Sequence, residues 1–206
     1  MNEHQKSLLA MRHQLIGANM HRASKALEMV LKYHTGFRKD NITPSHMHPL
    51  RVAQLGMTIR PLLTHQEESV CVFLLHDIPE DHGIAPEDLT ADFGSLVSSG
   101  VKALTKKFRG ARIPDEEYFR VIADHPIASI GKGLDRVSNF NDMQGVFTPE
   151  KQLSYIAEAE QHILPMLRRA RKNFPEQYWA YENIKLHLRS QIALVKAMHQ
   201  GQEKVE

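Results

Sequence analysis

Apolar residues along this chain recur at spacings of three and four, and no long apolar–polar alternation of period two bounded by turn residues is present. That periodicity puts successive apolar side chains on one face of a helix rather than of a strand, so it predicts an all-α fold. Leu8, Leu9, Leu15, Ile16, Met20, Ala23, Leu27, Val30 and Leu31 suit one or two amphipathic helices from about Gln5 to Tyr33, with Gly17 as a break. Residues 34–48 carry Gly, Pro, Asn and Asp without helical periodicity. They predict a loop delivering His48 to a helix that begins at Pro49, whose fixed φ suits a first turn. A helix from there to about Pro61 is followed by one over 67–76, and its run Val70-Cys71-Val72-Phe73-Leu74-Leu75 marks it as the most buried element. The run falls well short of the roughly 20 residues a membrane span needs, so no span is expected.

Farther along, Pro86-Glu87-Asp88 opens a short helix, and Phe93-Gly94 precedes another carrying Leu96, Val97, Val101 and Leu104. The basic, glycine-bearing stretch 106–114 reads as an exposed loop. Helices are expected over 116–124 and 127–143, then over a long segment from Thr148, its N-cap, to about Lys172. Asn173-Phe174-Pro175 ends that segment. A last helix, about 176–199, sets Trp179, Ile184, Leu188, Ile192, Val195 and Met198 on one broad face before a polar tail. No repeat or linker divides the chain, so residues 1–206 are expected to form one domain, large enough to bury roughly 70% of the surface of its unfolded form. The 26 Lys and Arg against 24 Asp and Glu leave a net +2, which argues against nucleic acid or a membrane surface as partner. A single cysteine, Cys71, excludes an internal disulfide, and the absence of a signal-peptide pattern points to the cytoplasm.

A histidine beside an aspartate at the end of the most apolar helix is costly, because both must leave water without a local counter-charge. A metal ion would repay that cost. His48, with 27 residues between it and His76, and Asp135, with 57 residues between Asp77 and it, complete a His2Asp2 set. Nitrogen and oxygen donors without a thiolate suit Mn²⁺, Fe²⁺, Co²⁺ or Zn²⁺ with positions left open for water and substrate. Spacing alone leaves an ordinary helix terminus as the alternative. Glu80 and Asp81 follow Asp77 by three and four residues, so in a helical turn they lie on its side, near the metal. Crowded with Asp135, these carboxylates need a cation or a shared proton, the setting of metal-assisted hydrolysis. The other reading is that they cap the next turn in solvent.

These pieces resemble the hydrolase domain of the RelA/SpoT-type alarmone enzymes, within the HD phosphohydrolase superfamily. The resemblance runs in order from His34-Thr-Gly-Phe-Arg38-Lys39 through Thr43-Pro44, His48-Pro49-Leu50-Arg51-Val52-Ala53, Leu74-Leu75-His76-Asp77-Ile78-Pro79-Glu80-Asp81 and Phe93-Gly94. It continues through Leu104-Thr105-Lys106, Lys132, Leu134-Asp135-Arg136-Val137-Ser138-Asn139 and Pro149-Glu150-Lys151, covering about 20–170. It implies an HD-domain helical bundle in which His48, His76, Asp77 and Asp135 hold Mn²⁺. It further implies that Glu80 and Asp81 handle the attacking water, that Asn139 helps place a nucleotide, and that Arg38, or Lys39 if the register differs by one, lies against the base. The chain departs from the pattern at Phe37, where the family usually has glutamine, at Ser45, where it has tyrosine, and at His82, where it has a small or hydroxylated residue.

The implied activity is removal of the 3′-pyrophosphate of guanosine 3′,5′-bis(diphosphate), ppGpp, and of its pentaphosphate relative. At this length, with no room for a synthetase, TGS or regulatory segment, a stand-alone small alarmone hydrolase is expected. Phe37 and Ser45 motivate a rival substrate, an adenosine alarmone or a 2′- or 3′-phosphorylated nucleotide such as NADPH. A module that senses alarmone or metal without turnover is a second rival, against which the intact Glu80–Asp81 pair argues. Lys102, Lys106, Lys107, Arg109 and Arg112 form a basic cluster that reads as solvated surface or as a phosphate contact. The remaining histidines and the nine methionines read as surface or packing residues, and Cys71 as packing.

Overall fold

A computed structural model describes residues 1–143 and 145–202; the end of the polar tail, 203–206, lies outside the described residues. Helix α4, Gln66–Leu75, is buried at every position from Ser69 to Leu75, and a helix apolar all round must be covered all round. Its cover consists of α2 (His21–Tyr33), α3 (Met47–Thr58), α7 (Ser95–Leu104) and α9 (Pro126–Asp142). Preceding them, α1 (Glu3–Gly17) begins with a capping box on Asn2 and stops at Gly17 as expected, the chain turning through Asn19 at φ 54°. α3 begins at Met47, two residues earlier than Pro49 suggested, so His48 sits inside the first turn instead of before it. Gly56 lets α3 approach α4 closely: a Cβ there would stand 2.4 Å from the ring of Phe73. That contact holds the helix carrying His48 against the one that ends at His76.

Only His76 and Asp77 separate α4 from α5 (Ile78–His82), which ends on Gly83 at φ 68°, a conformation glycine adopts without strain. A 3₁₀ turn, Pro86–Leu89, and α6 (Thr90–Phe93) lead into α7. The stretch expected to be an open loop after α7 is a small hairpin, β1 (Lys107–Phe108) paired antiparallel with β2 (Ala111–Arg112) through Arg109 and Gly110, both at positive φ. Strands of two residues are too short for alternation to register. Helix α8 (Asp115–Ala123) is followed by α9, whose first turn is capped by His125 Nδ1 accepting from the amides of Ile127 and Ala128.

Thr148 caps α10 (Pro149–Glu158) as its sequence indicates, its hydroxyl accepting from the Lys151 amide. The helix then widens into a π segment, Ala159–Ile163, before resuming as α11 (Leu164–Asn173). Pro165, which has no N–H to donate, falls just after this widening. The final helix, α12 (Tyr178–Gln202), buries Ile184, Leu188, Ile192 and Val195 as expected. Trp179 is 69% exposed and Met198 half-exposed, so the expected face narrows at both ends. Ile184 lies five positions after Trp179, about 140° around a helix, which turns the indole away. The buried apolar side chains form one contiguous core from Met11 to Val195. No helix among the described residues is long and apolar enough to cross a membrane.

Candidate active site

The four residues of the His2Asp2 set, distant in sequence, converge where α3, the end of α4 and α9 meet. His48 Nε2 lies 3.1 Å from Asp135 Oδ1 and 3.7 Å from Asp77 Oδ2, while His76 Nε2 lies 3.2 Å from Asp77 Oδ1 and 3.9 Å from Asp135 Oδ1. His48, His76 and Asp135 are buried. The other ring nitrogens are engaged: His76 Nδ1 donates to the Phe73 carbonyl at 2.9 Å, and His48 Nδ1 is 3.3 Å from the Ser138 hydroxyl. His76 Nε2 is therefore the bare nitrogen, and it is buried, faces two carboxylates and makes no hydrogen bond. Two imidazoles with their distal nitrogens anchored and their proximal ones aimed between two carboxylates fit a divalent metal.

Lys132 completes this cluster from one turn before Asp135, its ammonium 3.0 Å from Asp135 Oδ2. Burial opposes ionisation of Asp135, but Lys132 and the hydrogen bond from His48 outweigh it and hold the carboxyl well below the usual carboxylate range. Burial likewise works against the Lys132 ammonium, and Asp135 more than compensates, raising its pKa. Asn139 Nδ2 donates to Asp135 Oδ1 at 2.6 Å, which ties the expected nucleotide-placing amide to the His2Asp2 cluster itself.

Glu80 and Asp81 do not share one side of this cluster as the spacing from Asp77 suggested. Adjacent residues of a helical turn diverge by about 100°. Glu80 turns to the hairpin, where its Oε1 accepts from the amides of Lys106 at 2.6 Å and Lys107 at 3.3 Å. It lines a cavity of about 110 Å³ with Asp77, Lys106, Tyr118, Lys132 and Asp135. Asp81 faces a larger cleft of about 460 Å³ on the other side of Asp77. Partial desolvation at the cleft wall, reinforced by the charge of Asp77, pushes the Asp81 carboxyl above its ordinary value. Asp77 borders both spaces.

The larger cleft runs from His34, His48, Asp77 and Asp81 to a rim of Arg38, Lys39, Phe147 and Tyr155, with Arg51, Asn139 and Asp142 along its side. The loop 34–48 is more ordered than its lack of periodicity suggested. Phe37 pairs with Pro44 in an antiparallel bridge, Arg38 N–H donates to the Thr43 carbonyl at 2.8 Å, and the Asp40 carboxylate accepts from Ile42, Thr43 and the Thr43 hydroxyl. Those three donors lower the Asp40 pKa to about 2. Arg38 is steadied by Asp142, which also pairs with Arg51. Lys39 and Lys151 both stand over the Phe147 ring, at 5.4 and 5.3 Å, and Lys151, together with burial, pushes Lys39 below the usual lysine range.

Of the basic cluster, Lys102 pairs with Glu87, Arg112 with Asp115, and Lys106 with Asp115 and Glu158. Lys106 alone of these lines a cavity at the His2Asp2 cluster. Cys71 is buried in the core, and burial pushes its thiol up to about 12. Sequence reasoning assigned no site role to Ser138, Asp142, Phe147 or Tyr155. A signal was available for α9: Lys132, Asp135, Asn139 and Asp142, at steps of three and four, draw a polar stripe along an otherwise buried helix.

No protein-family model matches the chain. It is 32% identical over 145 residues to the guanosine-3′,5′-bis(diphosphate) 3′-pyrophosphohydrolase of Vibrio cholerae, a span of 66% of this chain and 20% of that protein. It is 31% identical over 162 residues to a probable GTP pyrophosphokinase of Mycobacterium leprae, 74% of this chain and 19% of that protein. The chain thus spans about a fifth of the length of these curated relatives. Among solved structures it superimposes on one described as a metazoan ortholog of SpoT that hydrolyzes ppGpp, with a TM-score of 0.61 and 22% identity, covering 84% of this chain and 95% of that one. In sequence and in fold, the chain is a relative of the HD hydrolase domain of the RelA/SpoT-type enzymes.

Proposed function

We propose that this chain is a Mn²⁺-dependent hydrolase that removes the 3′-pyrophosphate of guanosine 3′,5′-bis(diphosphate) and its pentaphosphate relative, water replacing the ribose 3′-oxygen on phosphorus and pyrophosphate leaving. The observation that carries it is the convergence of His48, His76, Asp77 and Asp135, of which His48 and Asp77 line a cleft with Arg38, Lys39 and two aromatic rings at its rim. The names of the sequence relatives support the same substrate. Bound there, the metal would polarise a phosphoryl oxygen and lower the pKa of water.

The protein's own groups do the rest. Asp81, its carboxyl held above its ordinary value and open to the cleft, accepts the proton of the attacking water. Glu80 positions: one oxygen clamps the hairpin amides, which keeps Lys106 beside the cluster. Asn139 and Lys132 fix the two oxygens of Asp135. Arg38, steadied by Asp142, offers its guanidinium face to a purine, and Lys39 lies beside it for phosphate. Such a reaction belongs in the cytoplasm, and we read the described residues as one HD domain on the strength of their contiguous core.

Phosphate and pyrophosphate release from a nucleotide panel with Mn²⁺ tests the reading. Release of pyrophosphate from ppGpp, lost on chelation, is the expected result; no release from it refutes the assignment. An adenosine alarmone or a 2′-phosphorylated dinucleotide is the second reading. It is favoured by Phe37, largely exposed, whose ring offers no hydrogen bond to a guanine edge.

A further inference from the structure

A second cluster of metal-ligand type lies beside the first. His34, Asp81 and His82 bring one donor atom each to within 4.8 Å of one another. His34 Nδ1 is 3.4 Å from His82 Nε2 and 3.9 Å from Asp81 Oδ2, and the two rings meet edge to face with centroids 4.6 Å apart. Donors around a tetrahedral zinc with bonds of about 2.0–2.2 Å stand roughly 3.3–3.5 Å apart, so the two nitrogens already have that bite and a small rotation of Asp81 completes it. His34 is 5% exposed, and burial holds it neutral with a pKa of about 4, the form in which an imidazole ligates. His34 also terminates the thirteen-residue α2, where the helix dipole favours a cation. Asp81 and His82 are exposed, which leaves the position opposite His34 open to solvent.

We propose that His34, Asp81 and His82 form a second, zinc-binding site, and that zinc there occupies the Asp81 carboxylate, so that it no longer accepts a proton from water, and inhibits the enzyme. Two imidazoles and one carboxylate select Zn²⁺ over Mg²⁺ or Ca²⁺. Binding stands independently of the substrate; inhibition rests on the proposed hydrolysis.

The metal-free full chain, dialysed against Zn²⁺, should retain two ions per chain, whereas H82A retains one. H34Q should also retain one, and H13A, altered at a surface histidine of α1, should keep two. One ion on the wild type, or two on H82A, overturns the site. In the second arm, hydrolysis of ppGpp by the Mn²⁺-loaded chain is followed while Zn²⁺ is added. Wild-type turnover should fall at least tenfold at a Zn²⁺ concentration that leaves H82A, equally active at the start, unaffected. Equal inhibition of both chains overturns the regulatory half while leaving the site. Two ions on the wild type and one on H82A, with neither chain hydrolysing any nucleotide, sustain the site and refute the proposed function.

Discussion

His48, His76 and Asp135 are buried and braced in turn by Ser138, the Phe73 carbonyl and Lys132, whereas across the cleft Phe37 stands largely in solvent and the Ser45 hydroxyl finds no partner. The first region sits on three packed helices and is oriented before anything binds. The second hangs on the loop before α3 and the segment leading into α10. Under the proposed function, the difference teaches that the chemistry belongs to the helical core, where a wrong geometry would also cost folding energy, and that the choice of nucleotide falls to a few side chains that the core does not constrain.

The sharpest way to break that contrast is to remove a ligand from the core side. D77A should lose its metal, with affinity falling by more than the 10- to 100-fold typical of groups that only orient ligands, and activity should drop to background. Elemental analysis and calorimetric titration check this, and undiminished Mn²⁺ binding would remove Asp77 from the set. Next in size, D81N should keep its metal and its KM while kcat falls roughly 10²- to 10⁴-fold. E80Q, whose amide oxygen still accepts from the hairpin, should lose less, and equal losses would return both carboxylates to one role.

Lys132 tests whether the core side is braced at the expense of stability. K132M leaves Asp135 buried beside no cation, and the chain should be destabilised by about 3–5 kcal/mol in urea unfolding of the metal-free protein. The fourth expectation is pH-dependent. Burial lowers His34 from 6.5 to about 4, with Asp77 opposing and His82, His76 and His48 assisting. The unfolded chain then binds that proton first as pH falls. His34 stabilises fully above pH 6.5, and this contribution, up to ~3 kcal/mol, is lost between 6.5 and 4; H34N should flatten that part of the profile. Smallest is the rim: R38A should raise KM about 5- to 30-fold, the equivalent of 1–2 kcal/mol of stacking, with kcat little changed. Guanosine and adenosine alarmones should differ by less than tenfold, and a larger preference would mean that the rim reads base edges after all.

The helices were legible because their apolar spacing is a direct imprint of burial. The Val70–Leu75 run located the central helix, and Thr148 and Asn173-Phe174-Pro175 marked the ends of the long segment over 149–173 by capping chemistry alone. Less legible was whatever depends on direction rather than position. Spacing put Glu80 and Asp81 together near Asp77, but which way each side chain turns was decided by two hairpin amides that only the fold brings near. The hairpin itself was missed because two-residue strands have no period. Lys132 was visible in the resemblance, yet its pairing with Asp135 is a matter of burial, since the same i, i+3 pair in solvent would contribute little. Phe147 and Tyr155 enter the cleft through tertiary placement alone.

The widened segment at Ala159–Ile163 works as a phase shift. Five residues there close wider loops than an α-helix would use, so the helix before it is rotated against the helix after it by about one residue's worth of turn, near 100°. On the near side, Tyr155 faces the cleft and carries the Arg136 guanidinium 4.2 Å from its ring, while Glu158 pairs with Arg136 and Lys106. On the far side, Leu164, Leu167 and Ala170 are buried against the core. A chain with one residue fewer between 159 and 163 would run in uninterrupted α phase and could satisfy one set of contacts or the other. The length of this short stretch is thus a reading frame for the cleft, and single-residue insertions or deletions here should cost more than substitutions at the same positions.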